Sequence, residues 1–298
     1  MNQHLGQLTG VTYCTGNPQQ AVSAWASSGV GSGEQLLVVD FALATPWQGE
    51  GASLALTALY QAREGEPLAV LVTDQQLTID GGEDAGSVFA QAQASSGAVV
   101  FRPGQPLPLE PLSIPKPWGQ EIWFTGIEER GICHFADGDS RTPIPWLQAV
   151  VPDAALGSPG TPPVLLKILD PSAEPVTGDL YFELHDEKRE VYVVTHVDPQ
   201  AWPDGVGAIR YGFDPARVDA AGGPAAFRAM YLAAVQDYER VRREIDSLPA
   251  GGETPTDLAM EERRLRSEMD AYTAMMPLKV GDVVRVPLLL PHSLQHGV

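Results

Sequence analysis

Short apolar runs separated by glycine-rich segments dominate the first hundred residues of the chain. Runs over Gln35–Leu43, Leu68–Val72 and Ala98–Phe101 have the length and composition typical of β-strands, and turn residues bound them. The segment Ser53–Ala62 fits either a short helix or a further strand, because its periodicity does not decide between them. The pattern predicts a small α+β or β-rich N-terminal domain over residues 1–110.

Prolines recur every few residues between Arg102 and Pro115. Because proline fixes φ and lacks a backbone N–H, this spacing excludes a continuous helix or a central strand. The segment is therefore predicted to be an extended connector, and a domain boundary is placed there.

Beyond the connector the chain is again rich in short apolar runs of the strand type. These runs lie at Gln120–Gly126, Gly131–Phe135, Pro162–Leu169 and Gly207–Phe213. They predict a second domain, built mainly of β-strands, over residues 111–298.

A change to helical spacing interrupts this strand-rich domain. Phe227–Leu248 carries apolar residues on one stripe of a 3.6-residue period, and a second helix is predicted from Thr256 to Met276. The two helices are predicted to form an insertion, residues 225–276, into a β barrel.

Composition limits the classes of partner and compartment. The formal net charge of −19 argues against nucleic-acid binding, which needs clustered Lys and Arg. No apolar run approaches the ~20 residues that cross a bilayer, and the N-terminus lacks the basic and apolar regions of a secretion signal. The two cysteines, Cys14 and Cys133, form no metal or redox motif. We therefore expect a cytoplasmic protein without a membrane partner.

Residues 183–194 place metal-binding side-chain types close together in sequence. Glu183 and His185 are two apart, so on a strand their side chains leave from the same face. Glu190 opens the next apolar run and faces the same space if the chain makes a β-hairpin. His292 follows a later strand and is the candidate fourth ligand. Together they predict a divalent-metal site.

Each of these side chains also has an ordinary interpretation. A Glu-x-His pair on a strand is most often a solvated polar face, and a histidine after Pro291 is often a turn residue. Glu190 also fits an ion pair with Lys188. The combination at strand ends is more specific than any one of them.

Five segments in order resemble segments of one cupin family, the type I mannose-6-phosphate isomerases. They are Pro115–Gly119 with its Trp-Gly pair, Pro163–Asp170, the Lys-x-Glu-aromatic strand Lys188–Val194, the glycine-containing strand Gly205–Phe213, and Gly281–His292 with its Gly-Asp and Pro-His elements. The helical insertion also falls where that family carries one. The resemblance covers about residues 111 to 298.

The resemblance implies a mainly β fold, a cupin barrel (double-stranded β-helix or jelly-roll) with a helical insertion. It implies a zinc-dependent aldose–ketose isomerase that interconverts mannose 6-phosphate and fructose 6-phosphate through an enediol. The metal ligands carried over are Glu183, His185, Glu190 and His292. Lys188 is carried over as the active-site lysine that also binds substrate.

The same resemblance marks Trp118 as a second substrate-binding residue. The general base stays open, with Glu183 and Asp186 as candidates by residue type alone.

Three departures from the family pattern keep other functions open. Glu183 stands where the family has glutamine, the segment between His185 and Lys188 is shorter, and the chain stops at Val298, where the family continues with strands and an active-site arginine. A non-catalytic cupin that binds a sugar or sugar phosphate is therefore the alternative. A third hypothesis is an iron oxygenase with two histidines and one carboxylate as ligands.

Overall fold

The chain folds into two compact units. The computed structural model describes residues 2–29, 33–77, 84–152, 165–249 and 254–298. The first unit comprises Met1–Ile114 with Glu121–Leu169, and the second comprises Pro115–Gln120 with Asp170–Val298. The boundaries of these units differ from the predicted boundary near residue 110, because residues 121–169 group with the N-terminal segment.

A four-stranded sheet forms the centre of the first unit. Its strands, in spatial order, are β1 (Val11–Thr15), β2 (Gln35–Ala44), β3 (Ser53–Ala62) and β4 (Ala69–Thr73). β1 runs parallel to β2, and the other neighbours are antiparallel. The strands predicted near residues 35–43 and 68–72 are confirmed, and the ambiguous segment 53–62 is a strand.

The apolar run of β2 is continuous because helices cover both faces of this sheet. Successive side chains of a strand point to opposite faces. Leu36 and Val38 accordingly pack in one core with residues of helix α2 (Ala85–Ser96). Leu37 and Val39 pack in a second core, with residues of helices α1 (Pro18–Ser27) and α3 (Ile144–Val150).

The ends of α1 and α2 carry ordinary capping residues. The Asn17 side chain accepts a hydrogen bond from Gln20 N at the start of α1. Asp84 and Ser87 form a capping box at the start of α2, which ends at Gly97 in the left-handed conformation. These helices were not among the sequence predictions.

Short strands complete the first unit and lead into the second. They are β5 (Leu109–Glu110), β6 (Leu112–Lys116), β7 (Gly119–Trp123), β8 (Ile127–Glu128), β9 (Gly131–Ile132), β10 (His134–Asp137), β11 (Ser140–Pro143) and β12 (Lys167–Pro171), with 3-10 helices at Gln3–Gln7 and Pro46–Gln48. β6, β7 and β12 each cross a boundary between the units along the chain.

One strand predicted in this region is absent, and another is described only in part. The strand predicted over Ala98–Phe101 is wrong, because only Phe101 makes a bridge, to Val70, while Val99 N donates to the Thr142 hydroxyl instead. Residues 162–164 of the strand predicted before Leu169 lie outside the described residues.

In its described residues, the second unit contains two small antiparallel sheets and three helices. One sheet has the order β15 (Thr273–Leu278), β14 (Gly207–Phe213) and β17 (His292–Leu294), and the other pairs β13 (Glu190–Val193) with β16 (Val283–Val286). The helices are α4 (Pro215–Ala220), α5 (Pro224–Asp246) and α6 (Thr256–Asp270). α5 and α6 contact each other, and Tyr238 donates to Glu262 across them at 3.2 Å.

The predicted helical insertion is present, but its second helix is shorter than expected. α6 ends at Asp270, whereas the prediction extended it to Met276. Residues 273–278 instead form β15, whose backbone pairs with β14 and whose end residues, Thr273 and Leu278, are buried. Pairing with a neighbouring strand overrides local helical preference here.

The fold class is mixed α/β, with several small and mostly antiparallel sheets. Across the described ranges the strands do not close into a barrel. The expectation of a mainly β protein is therefore met only loosely. No helix in the described part of the chain is long and apolar enough to span a membrane.

An aromatic cluster joins α5 to the sheet formed by β15, β14 and β17. The Phe227 ring lies 5.1 Å from the Phe213 ring and 5.7 Å from the Tyr272 ring, and Phe227 is buried. We expect Phe227→Ala to lower the free energy of unfolding of this unit by roughly 3–5 kcal/mol, because it leaves a cavity in the cluster. Urea unfolding measures the change. Met230→Ala, at an exposed position on the same helix, is the control and is expected to change it little.

Candidate metal centre

The backbone brings Glu183 and His292 directly opposite each other. Glu183 N donates to His292 O at 3.1 Å, and His292 N donates to Glu183 O at 2.9 Å, which makes an antiparallel bridge. Side chains of such a pair leave from the same face. His185, two residues after Glu183, shares that face if the segment stays extended, and its carbonyl accepts a hydrogen bond from Leu289 N.

Glu190 reaches the same place from a different strand pair. It opens β13, and its register partner is Val286 of β16. The predicted β-hairpin between residues 183–185 and 190–194 is therefore wrong. The first segment pairs at His292 and the second with β16, so the four side chains converge through long-range pairing.

The candidate ligand atoms lie at distances suited to a shared ion. Those of Glu183, His185 and His292 all lie within 4.8 Å of one another. Glu190 Oε2 lies 3.0 Å from His292 Nε2, and Glu190 Oε1 lies 3.7 Å from His185 Nε2. Because Zn–N and Zn–O bonds are each about 2 Å, two ligand atoms of one tetrahedral zinc lie roughly 3–3.5 Å apart. The donor set is therefore compact enough to bind one divalent cation after small side-chain adjustments.

His292 is held in a defined orientation. Its side chain is only 2% exposed, and its Nδ1 lies 2.9 Å from the Leu290 carbonyl oxygen, to which it donates. Nε2 is thereby directed at Glu190. Burial alone lowers the pKa of His292, but the hydrogen bonds to Glu190 and to the Leu290 carbonyl outweigh it, so the pKa is raised. A backbone carbonyl that orients the second ring nitrogen is a common feature of metal-binding histidines.

Glu190 is a buried carboxylate surrounded by donors. Its side chain is 8% exposed, Tyr192 OH donates to Oε2 at 2.8 Å, and Lys188 forms an ion pair with Oε1. Burial raises the pKa of Glu190, but hydrogen bonds from His292, Lys188 and Tyr192 together hold that pKa well below its ordinary range. The carboxylate is therefore ionised at neutral pH and able to bind a cation.

The donor chemistry fits zinc and several other divalent ions. Two imidazoles and two carboxylates suit Zn²⁺, and the same set accommodates Mn²⁺, Co²⁺ or Fe²⁺. Glu183 is the outermost donor, with a side chain 55% exposed, whereas His292 is the innermost. The site is thus open to solvent on the Glu183 side.

The two predicted substrate-binding residues have different environments. Lys188 Nζ lies 3.4 Å from His185 Nε2 and pairs with Glu190, so it belongs to the cluster. Trp118 is 4% exposed, and no hydrogen bond, ion pair or ring contact joins it to the four ligand side chains within the described ranges. Its assignment as a substrate-binding residue stays a prediction.

Sequence reasoning missed two groups that support the site. The Leu290 carbonyl orients His292, and the Tyr192 hydroxyl binds Glu190. Tyr192 could have been found, since it lies two residues after Glu190 and so faces the same side of β13. The Leu290 carbonyl carries no signal in the sequence, because its role depends on the backbone path around residues 289–292.

Comparison with protein-family models, with curated proteins and with solved structures found no match for this chain. The fold and the cluster therefore define the protein only as a mixed α/β protein with a candidate centre for a divalent cation.

Proposed function

We propose that the second unit is a metal-dependent aldose–ketose isomerase acting on mannose 6-phosphate and fructose 6-phosphate. The observation that carries the proposal is the convergence of Glu183, His185 and His292 with Glu190, from segments up to 109 residues apart in the chain. These are the positions at which the sequence resembles the metal ligands of the type I mannose-6-phosphate isomerases.

Each side chain has a defined task under this proposal. His185, His292 and Glu190 would hold the ion, which we take to be zinc, and Glu183 would complete its donor set from the exposed side. Bound there, the ion supplies Lewis acidity to the sugar oxygens that gain negative charge as a proton moves between C1 and C2. Lys188 supplies positive charge beside the same oxygens. Tyr192 and the Leu290 carbonyl keep the two buried donors oriented.

A cupin ancestry of residues 111–298 is part of the proposal. It rests on the order of the resembling segments and on the helix pair α5–α6 between β14 and β15. A cytoplasmic location also belongs to the proposal, and the two free cysteines, Cys14 and Cys133, are compatible with it.

A second candidate is a sugar-phosphate-binding protein without turnover. The exposure of Glu183 and Lys188, 55% and 43% respectively, favours it, because the donor cluster is partly open to water. In such an open site the charges that stabilise an enediolate are screened more strongly.

An assay of purified protein, stripped of metal and reloaded with zinc, tests the proposal. We expect conversion of mannose 6-phosphate to fructose 6-phosphate, and we expect Glu190→Gln to reduce kcat/KM at least about 100-fold, because the amide is a weak ligand and offers no charge to the ion. Glu187→Gln, at an exposed neighbouring position, is the matched control and should retain activity.

The outcomes separate the two candidates. Turnover that depends on zinc and on Glu190 supports the isomerase. A zinc-loaded protein that binds mannose 6-phosphate by calorimetry without converting it supports the binding protein. A protein that binds neither zinc nor the sugar phosphate contradicts both.

A further inference from the structure

Lys188 binds two of the atoms that a metal would use. Its ammonium pairs with Glu190 Oε1 and lies 3.4 Å from His185 Nε2. An ammonium group only donates hydrogen bonds, so each contact engages a lone pair of its partner. Oxygen Oε2 of Glu190 is bound by Tyr192 and His292, and the other oxygen, Oε1, pairs with Lys188.

We propose that Lys188 is an internal competitor for the metal, which must leave Glu190 and His185 when a divalent cation binds them. The inference rests on the metal centre of the proposed function. It adds that cation binding and the position of this lysine are coupled.

The competition follows from geometry and charge. A zinc ion about 2 Å from both donor atoms would take the lone pairs that now point at the ammonium. It would also lie within roughly 4 Å of Nζ if the lysine stayed in place, where like charges repel strongly. The two cations therefore exclude each other.

Lys188 can move away from the donor atoms into solvent. Its side chain is 43% exposed, and residues 186–189 form neither a helix nor a strand. A lysine has a flexible four-carbon stem and a strongly hydrated head group, so moving it into water is easy compared with moving a buried donor. Once displaced, the ammonium lies at the rim of the site, where it can bind an anionic substrate.

Zinc affinity is the first test. Competition with a chromophoric chelator gives the Kd of zinc for the wild-type protein and for Lys188→Met, which preserves side-chain length without the charge. We expect Lys188→Met to bind zinc at least tenfold more tightly. Lys279→Met removes one charge from an exposed position of the same unit, has no contact with the donor atoms, and is expected to leave the Kd within about threefold.

The second test measures the movement itself. The chain contains four lysines, Lys116, Lys167, Lys188 and Lys279, so acetylation can be followed at each by peptide mass spectrometry at a fixed pH. We expect zinc to speed acetylation of Lys188 several-fold and to leave the other three as internal references.

The results distinguish this inference from the proposed function. If zinc binds the wild-type protein and Lys188→Met binds it equally or more weakly, the competition is overturned while the metal centre stands. Zinc binding by Lys188→Met alone supports the competition. Absence of zinc binding in both proteins overturns the inference and the metal centre together, and loss of isomerase activity alone overturns neither.

Discussion

His292→Asn is expected to weaken zinc binding by at least about 100-fold and to abolish isomerase turnover. The asparagine amide can still donate to the Leu290 carbonyl, but it offers no nitrogen lone pair to an ion. Without the imidazole, the proposed centre loses its innermost donor and keeps only Glu183, His185 and Glu190. Isothermal titration with zinc measures the loss.

The control for this variant is His196→Asn, at an exposed position of the same unit. It should bind zinc as the wild-type protein does. Because His292 is buried, stability is compared separately in the presence of a chelator, by urea unfolding. If a folded His292→Asn protein keeps its zinc Kd within threefold, His292 is not a ligand and the proposed centre is wrong.

Asp179→Asn is expected to destabilise the second unit by about 3 kcal/mol at neutral pH. One carboxylate oxygen of Asp179 accepts hydrogen bonds from His296 Nδ1 at 2.7 Å and from His296 N, and the other pairs with Arg266 of α6. The Asp179 side chain is 10% exposed. Once the charge of Asp179 is removed, Arg266 still pairs with Asp270 at 3.5 Å, so the loss of stability falls at the lower end of the range for buried pairs.

The loss of stability in Asp179→Asn should depend on pH in a defined direction. Burial raises the pKa of Asp179, but the hydrogen bonds from His296 and the charge of Arg266 outweigh it and lower that pKa below its ordinary value. A carboxyl whose folded-state pKa is lowered stabilises the fold above its unfolded pKa, about 4, and loses this contribution as pH falls through the folded value. The stability difference between wild type and Asp179→Asn should therefore shrink below about pH 4.

Urea unfolding at a series of pH values measures this difference, and hydrogen exchange of α6 and of the last residues locates it. Asp246→Asn is the matched control, because Asp246 pairs with Arg242 on the exposed surface of α5, with a side chain 60% exposed. Such a pair contributes little. A stability difference for Asp179→Asn that stays constant from pH 7 to pH 3 would contradict the assigned role.

Elements with strong local signals were predictable from sequence. The apolar runs of β2 and β14 are strands, and the helical stripe near residues 227–248 is α5. Failures arose where a partner distant in sequence decides the conformation. By local pattern, residues 273–276 fit a continuation of α6, but they pair with β14 and form a strand. Residues 98–101 fit a strand, yet Val99 N is taken by Thr142.

The candidate site followed the same division. Residue types and the two-residue spacing of Glu183 and His185 predicted a metal cluster and its four members. The hairpin used to bring them together was wrong, since Glu183 pairs with His292 and Glu190 with Val286. The structure does bring the four side chains together, but through pairing between distant strands and not through a hairpin.

The sequence by itself determined the chemical types of the donors, the strong acidity of the chain and the helical insertion, because these depend on residue identity and local periodicity. Only the tertiary structure decided how the donors meet, which oxygen of Glu190 binds Lys188, and where the compact units divide. Those features depend on backbone pairing between residues about a hundred positions apart, and the local sequence does not specify which residues pair at that distance.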